Sequence, residues 1–293
     1  MDISFVIITY NDAQRLPRAI SSAAIMSAAQ GLDYQVLVVD NGSQDHTAQV
    51  LEAFGRVLGP RLEVIALERN TGTTYSRNRA LERARGRLVC VMDSDAELLQ
   101  GSLRQVDRLL HDLPRVGILA PRIIMPDGST YDSVKLLPTL GDKLLKLPGI
   151  FTGTPTVNRD WYPDFPFHHL RPVDTAISCA WFFRRKLYQR VGPLDQRIFY
   201  APEDVDWCLR VWKAGRAVVY FPCFHVLHHT RHISHKRPLS RTSLSHLAGM
   251  LYYLRKHGYW FRRKPVQERF IRPLARSLEP ELRRWQEANP CAG

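Results

Sequence analysis

The chain has 293 residues, 45% hydrophobic and 24% charged, with 41 Lys and Arg against 28 Asp and Glu for a formal charge of +13. That length and composition suit one large α/β domain, alone or with an appendage, and exclude a disordered, collagen-like or small disulfide-stapled chain. The charge is uneven: residues 1–135 hold 15 basic and 16 acidic side chains, whereas from His228 onward 14 basic ones meet 4 acidic. The basic character therefore belongs to the C-terminal part, which suits an anionic partner or a solvated helical face.

Short apolar runs at 3–9, 35–39, 62–67 and 88–92 are rich in Val, Ile and Leu without clean alternation, the pattern of strands covered on both faces of a parallel sheet. Between them, 12–29, 44–57 and 74–84 read as helices, giving βαβ units whose ligands sit beyond the carboxyl ends of the strands. From Pro114 the pattern loosens. Residues 136–172, with six prolines and the aromatics Trp161, Tyr162, Phe165 and Phe167, read as a long structured insertion or lid. Order returns with a strand at 176–183 and a helix opening at Pro202, where Val205, Cys208, Leu209 and Trp212 keep helical spacing and Gly215 supplies the stop. A strand at 217–221 leads to a histidine-rich loop and the basic tail.

Five cysteines, odd in number and widely spaced without a Cys-x-x-Cys pair, read as unpaired structural residues of a reduced compartment. The N-terminus has no basic stretch before its apolar run, so no signal peptide is expected, and no run approaches the roughly 18–20 apolar residues needed to cross a bilayer. The expected location is cytoplasmic, with membrane contact at most peripheral.

Each predicted strand of the first half ends in a polar loop: Thr9-Tyr10-Asn11-Asp12, Asp40-Asn41-Gly42-Ser43, Asn70-Thr71-Gly72 and Asp93-Ser94-Asp95. The Gly-x-Gly-x-x-Gly fingerprint is absent from the first of these, which argues against a nicotinamide or flavin Rossmann domain. Asp93 and Asp95, one residue apart at a strand end, could share Mg²⁺ or Mn²⁺ with a diphosphate; the same residues could cap a helix starting at 96–99. Glu203, Asp204 and Asp206 open a helix, where they complement its dipole or supply a general base. Of the histidines at 225, 228, 229, 232 and 235, one could add a ligand at Asp95, or all could be idle loop residues. Asp40 could accept from the imide of a uracil or thymine ring or cap its own turn, and Arg77 could reach a diphosphate or form a surface ion pair.

In this order the motifs, with Arg77-Asn78 and Glu203-Asp204-Val205-Asp206-Trp207 followed by His228, resemble the family 2 inverting glycosyltransferases of the GT-A fold, over residues 3 to about 235. The stretch 121–140, with Pro126-Asp127-Gly128 and Leu137-Pro138-Thr139, is similar to the rhamnosyltransferase-type branch that builds bacterial surface polysaccharides. The resemblance implies a mainly parallel, Rossmann-like sheet flanked by helices, with 1–113 as the nucleotide-sugar half, 114–235 as the acceptor-binding and catalytic half, and 236–293 as a basic helical extension. It implies donor contacts from Thr9, Tyr10, Asn11, Asp40, Asn70, Arg77, Asp93 and Ser94, and a divalent cation, Mg²⁺ or Mn²⁺, on Asp95 with Asp93 and His228. It makes Asp204 the catalytic base, with Glu203 its rival. Trp161, Trp181 and Asp206 are the acceptor-side candidates, the neighbouring Phe182 and Phe183 serving equally well as core.

The implied substrates are a UDP- or dTDP-sugar and a saccharide or lipid-linked acceptor. A nucleotidyltransferase would share the acidic α/β site but bring a glycine-rich basic loop after the first strand, and a non-enzymatic nucleic-acid binder would leave the acidic loops without purpose; no nucleic acid is expected. The apolar run 250–254 beside Arg255 and Lys256, and Trp260-Phe261 before Arg262, Arg263 and Lys264, suit an anionic membrane surface.

Overall fold

The computed structural model describes residues 1–145, 159–229 and 241–291. His232, His235, the boundary at 235/236 and the middle of the expected lid lie outside the described residues.

The first half follows the predicted alternation. Strands β1 (Ile3–Thr9), β2 (Tyr34–Asp40), β3 (Leu62–Ala66) and β4 (Leu88–Asp93) alternate with helices α1 (Leu16–Ala29), α2 (Thr47–Leu58) and α3 (Thr73–Leu81). All pairings among these strands are parallel, in the order β3-β2-β1-β4. The register sets Thr9 beside Asp40 and Ile8 beside Asp93, so three polar loops leave the sheet at one edge.

Beyond β4 come β5 (Ala96–Gln100), α4 (Leu103–Asp112), β6 (Val116–Ile124), β7 (Val134–Lys135), α5 (Leu140–Leu144), β8 (Arg171–Pro172), β9 (Thr175–Ala176) and β10 (Ala180–Arg184). They are followed by α6 (Arg185–Val191), α7 (Glu203–Lys213), β11 (Ala217–His228), α8 (Arg241–His257) and α9 (Arg272–Ala288). The main sheet continues β4-β10-β6-β11-β5, with β8 also on β11. Strand β10 runs antiparallel to both β4 and β6, inserting a reversed strand into an otherwise parallel centre. Trp181, Phe182 and Phe183 on this strand, with Trp207, Trp212, Phe221 and Phe224, are among the bulkiest apolar side chains of the core.

Four expectations are corrected. Residues 96–99 are a strand, not a helix start: the alternation of buried Ala96 and Leu98 with more open Glu97 and Leu99 fits an edge strand pairing with β11. The start of the expected histidine-rich loop is also strand, since β11 runs on past Phe221 to His228 between β5 and β6, placing His225 and His228 on a paired strand. Cys223 and Cys291 form a disulfide that ties β11 to the end of α9 across a separation of 68 residues, whereas Cys90, Cys179 and Cys208 are free and buried. Sequence spacing holds no signal for such a pair. Lastly, Met250, Tyr253 and Leu254 face the protein, and with Leu278, Leu282 and Trp285 they join the same core as the sheet.

The irregular region is partly built. Thr139 and Asp142 form a reciprocal capping box at α5, and Phe165 and Phe167 pack edge-on against Tyr220, so these rings serve the core and not an acceptor surface. Among the described residues no helix is long and apolar enough to cross a membrane.

Candidate active site

Two polar loops are braced against each other at the carboxyl edge of β1 and β2. The Asn11 amide donates to Ser43 Oγ (2.9 Å) and the Gln44 amide to Asn11 Oδ1 (2.7 Å), while Asn11 takes a positive φ of 50°. Asp40 accepts from the Ser43 amide at 2.9 Å, so one oxygen does cap the turn. Beside it the buried Thr9 hydroxyl has no partner among the described residues, an unspent hydrogen-bonding group at the strand end. Tyr10 is exposed next to it. Asn70 serves the loop itself: its Oδ1 accepts from Asn41 Nδ2 (3.1 Å) and the Gly72 amide (3.0 Å).

Gly72 is the junction between the two halves. Its φ is +83°, and any side chain there would collide with the Phe199 carbonyl. Thr73 and Thr74 then donate to the Tyr200 and Ile198 carbonyls at 2.9 and 2.7 Å. The first turn of α3 is thereby stitched to the loop before α7.

Arg77 makes the deeper connection. Fully buried, it donates through Nη2 to Asp93 Oδ1 (2.6 Å) and the Ser178 carbonyl (3.1 Å), and through Nη1 to Glu203 Oε1 (2.8 Å) and Ser178 Oγ (2.6 Å). The expected diphosphate contact is therefore corrected: this guanidinium is enclosed, and its charge holds two carboxylates from opposite halves together. Ser94 likewise turns inward, donating to Asp12 Oδ2 at 2.7 Å.

Asp93, Asp95 and His228 converge, each offering a ligand atom within 4.8 Å of the others. His228 Nε2 lies 3.3 Å from Asp95 Oδ1, while its Nδ1 is buried without a partner among the described residues. Two carboxylates and an imidazole with unspent capacity fit a hard divalent cation such as Mg²⁺ or Mn²⁺. Arg15, which sequence reasoning missed, reaches the same point, pairing with Asp12 at 2.6 Å and Asp95 at 3.3 Å and donating to the His229 carbonyl at 2.8 Å. Burial alone would raise the Asp95 pKa, yet the His228 hydrogen bond and charge, with Arg15, outweigh it and hold the carboxyl below the usual Asp range. Burial likewise opposes the His228 cation, but Asp95 prevails and raises its pKa.

The two acids opening α7 differ sharply. Glu203 is buried and takes hydrogen bonds from Arg77 and from Ser178 Oγ (3.0 Å). Burial, then the neighbouring Asp204 charge, push it up to about 8 against the pull of Arg77. Asp204 is only half-buried, and its recorded partner is the Val205 amide at 2.8 Å; among the described residues no side chain is hydrogen-bonded to it. Burial raises its pKa as well, with Lys135 and Arg77 pulling the other way. A carboxylate with a free oxygen and a raised pKa is suited to accept a proton.

Of the three acceptor-side candidates, two are turned into the protein and one stays partly open to solvent. Trp181 is buried in the sheet and stacks on Trp207 (centroids 5.6 Å apart), so it is core. Asp206 is buried under α8, paired with Lys256 (2.6 Å) and His257 (2.9 Å), because its position on the helix faces away from Asp204. Trp161 stays half-exposed with Lys135 Nζ 5.6 Å from its ring centroid. Tyr131, set edge-on to His228 at 6.4 Å, was also missed, as no motif marks it.

Comparison with known proteins bears on the family and the fold. The profile of glycosyl transferase family 2 matches residues 4–192. The chain is 30% identical over 273 residues to an N-acetylglucosaminyl-diphospho-decaprenol L-rhamnosyltransferase of Mycobacterium tuberculosis, covering 88% of this chain and 85% of that one. It is 39% identical over 105 residues to the succinoglycan biosynthesis protein ExoO of Rhizobium meliloti, covering 36% of this chain and 28% of that protein. Among solved structures, GalNAc-T7 with UDP, GalNAc and Mn²⁺ superposes with a TM-score of 0.63 at 16% identity, covering all of this chain and 55% of the other. S. aureus TarS residues 1–349 give 0.53 at 19% identity, covering 78% and 60%. The ordered loops, the sheet that carries them and the profile match lead to one conclusion: this chain belongs to glycosyl transferase family 2 and is a glycosyltransferase of the GT-A fold.

Proposed function

We propose that the protein transfers a sugar, with inversion, from a UDP- or dTDP-sugar to a hydroxyl of a lipid-linked or saccharide acceptor in bacterial surface polysaccharide synthesis. The M. tuberculosis relative, named for a diphospho-decaprenol-linked N-acetylglucosamine acceptor, supports an acceptor of that class. Such an acceptor places the reaction at the cytoplasmic face of the plasma membrane, with the protein attached peripherally. The observation that carries the reading is the contrast at α7: Glu203 is tied to Arg77, and Asp204 beside it is free to take a proton.

In this reading Thr9, Tyr10 and Asp40 hold the nucleobase at the edge of β1 and β2. Asp93, Asp95 and His228 would hold Mg²⁺ or Mn²⁺, which when bound supplies positive charge to the departing diphosphate. Arg15, beside Asp95, offers a second positive charge on that side. Asp204 accepts the proton of the acceptor hydroxyl as that oxygen bonds to the anomeric carbon from the face opposite the diphosphate. The bond from that carbon to the diphosphate oxygen breaks in the same displacement, and the nucleoside diphosphate leaves. Arg77 keeps the base-bearing helix at a fixed distance from the Asp93 end, and Trp161 with Lys135 flanks the acceptor approach.

The test incubates the protein with Mn²⁺, a panel of UDP- and dTDP-sugars, and a polyprenyl-diphosphate N-acetylglucosamine acceptor. Nucleoside diphosphate released only when acceptor is present is the expected result. Release of pyrophosphate, or no acceptor-dependent release from any donor, would overturn the proposal.

A further inference from the structure

Helix α8 buries one face and leaves the opposite face apolar. Gly249 lies so close to the Ala201 carbonyl that any side chain would collide with it, and Tyr253 and Leu254 are fully buried, so the inner face is pressed onto the turn that presents Glu203 and Asp204. On the outer face Leu244, Leu247 and Leu251, at i, i+3 and i+7, are 55%, 53% and 40% exposed. A helix face solvated by water would carry polar side chains at such positions. Past the end of α8, Trp260 and Phe261 are 38% and 65% exposed, and Phe261 borders α5 at Gly141, where Leu144 is 49% exposed.

The adjoining sequence carries charge of one sign. Between His228 and Gln267 the sequence holds nine Lys and Arg and no carboxylate. Lys256 is turned inward to Asp195 and Asp206, and Arg263 to Asp142, but Arg255, Arg262 and Lys264 are exposed. Leucines and aromatics flanked by exposed cations match the interfacial region of an anionic bilayer. Two copies of the same face would bring like charges together, which disfavours self-association.

We propose that the outer face of α8, continued by Trp260 and Phe261, is a docking surface for an anionic lipid bilayer, lying in the plane of the interface. Because the inner face of the same helix braces the Ala201–Asp204 turn, docking here sets the proposed base at headgroup level, where a lipid-linked acceptor presents its sugar. The inference deepens the proposed function and rests on it for its purpose, but its test needs neither donor nor acceptor.

The full-length protein is co-sedimented with vesicles of phosphatidylglycerol and phosphatidylcholine, and with vesicles of phosphatidylcholine alone. Binding to the anionic vesicles, weakened by salt, is expected. The triple variant Leu244→Ser, Leu247→Ser, Leu251→Ser should bind about tenfold more weakly or worse, and Arg255→Glu with Arg262→Glu should weaken it too, both with unchanged circular dichroism. The proposal is overturned if the wild type ignores anionic vesicles, if both variants bind as it does, or if the leucines instead hold a dimer that the triple variant dissociates in sedimentation velocity. Vesicle binding without acceptor-dependent turnover would remove the functional reading and leave the surface standing; turnover of a water-soluble acceptor without vesicle binding would do the reverse.

Discussion

Residues 1–95 and residues 130–229 build their shares of the site in different ways. In the first, polar side chains at the ends of parallel strands are locked to neighbours before any substrate arrives: Asn11 to the 43–44 turn, Ser94 to Asp12, Arg15 to Asp12 and Asp95. In the second, Tyr131, Lys135 and Trp161 come from short or irregular segments, and Asp204 stands without a side-chain partner among the described residues. In the proposed reaction this difference separates scaffold charges from a working one. A carboxyl oxygen that already accepts from a guanidinium and a hydroxyl is held in place, and a carboxyl without a side-chain partner is open to an incoming hydroxyl. Glu203 and Asp204, adjacent in sequence, fall on opposite sides of that line because Arg77 reaches only the first.

Substitution at those two acids is the hardest test of the contrast. Asp204→Asn should lower the transfer rate by roughly 10²- to 10⁴-fold, the range of a lost general base, with donor binding retained in calorimetry. Glu203→Gln keeps a hydrogen-bonding shape toward Arg77 and should act mainly on stability; equal losses in rate from both would erase the distinction. Arg77→Ala leaves Glu203 and Asp93 without their buried cation and should destabilise the fold by about 3–5 kcal/mol in chemical denaturation. An unchanged midpoint would show that the two halves are not joined there.

Smaller effects bear on the metal end and on α8. Asp95→Asn should weaken Mn²⁺ binding about tenfold or more in electron paramagnetic resonance titration, because the hard anionic ligand becomes neutral. Transfer should fall on the acid side, since Asp204 must be ionised and its pKa is raised: the descending limb should lie above the ordinary Asp value of 3.8 and shift when Lys135 is replaced by Met. At α8 the sign is opposite. Lys256, His257, Arg197 and Tyr252 offset burial and lower the Asp195 and Asp206 pKa values, so their contribution is complete above 3.8 and is lost as pH falls through the depressed folded values. Pepsin should therefore release the α8 segment only well below that pH, and release near pH 5 would contradict the pairing.

What could be read in the sequence divides along the same line. Strands β1, β2 and β4 are buried, largely apolar runs ending in polar loops, so their direction and the placement of Thr9, Asp40, Asp93 and Asp95 follow from local pattern, whereas β3 carries Glu63 and is mostly open to solvent at the sheet edge. Strand β10, Ala-Trp-Phe-Phe-Arg, is a short buried apolar run like the parallel strands beside it, and nothing local reveals that it is reversed. Arg77 looked like a surface or phosphate residue because its partners lie 16 and 126 positions away. Trp181 and Asp206 looked available for the same reason: their covers, Trp207 and α8, are brought over them by folding alone. Arg15 carried a usable signal, since its spacing places it in the turn after β1 beside Asp12.

The central claim is a single displacement driven by Asp204, without a covalent sugar–enzyme intermediate. Proton NMR of the anomeric centre in freshly formed product, from a UDP- or dTDP-sugar of known configuration, addresses it most directly. The account predicts the configuration opposite to the donor's. Retention would mean two displacements and would contradict the role given to Asp204.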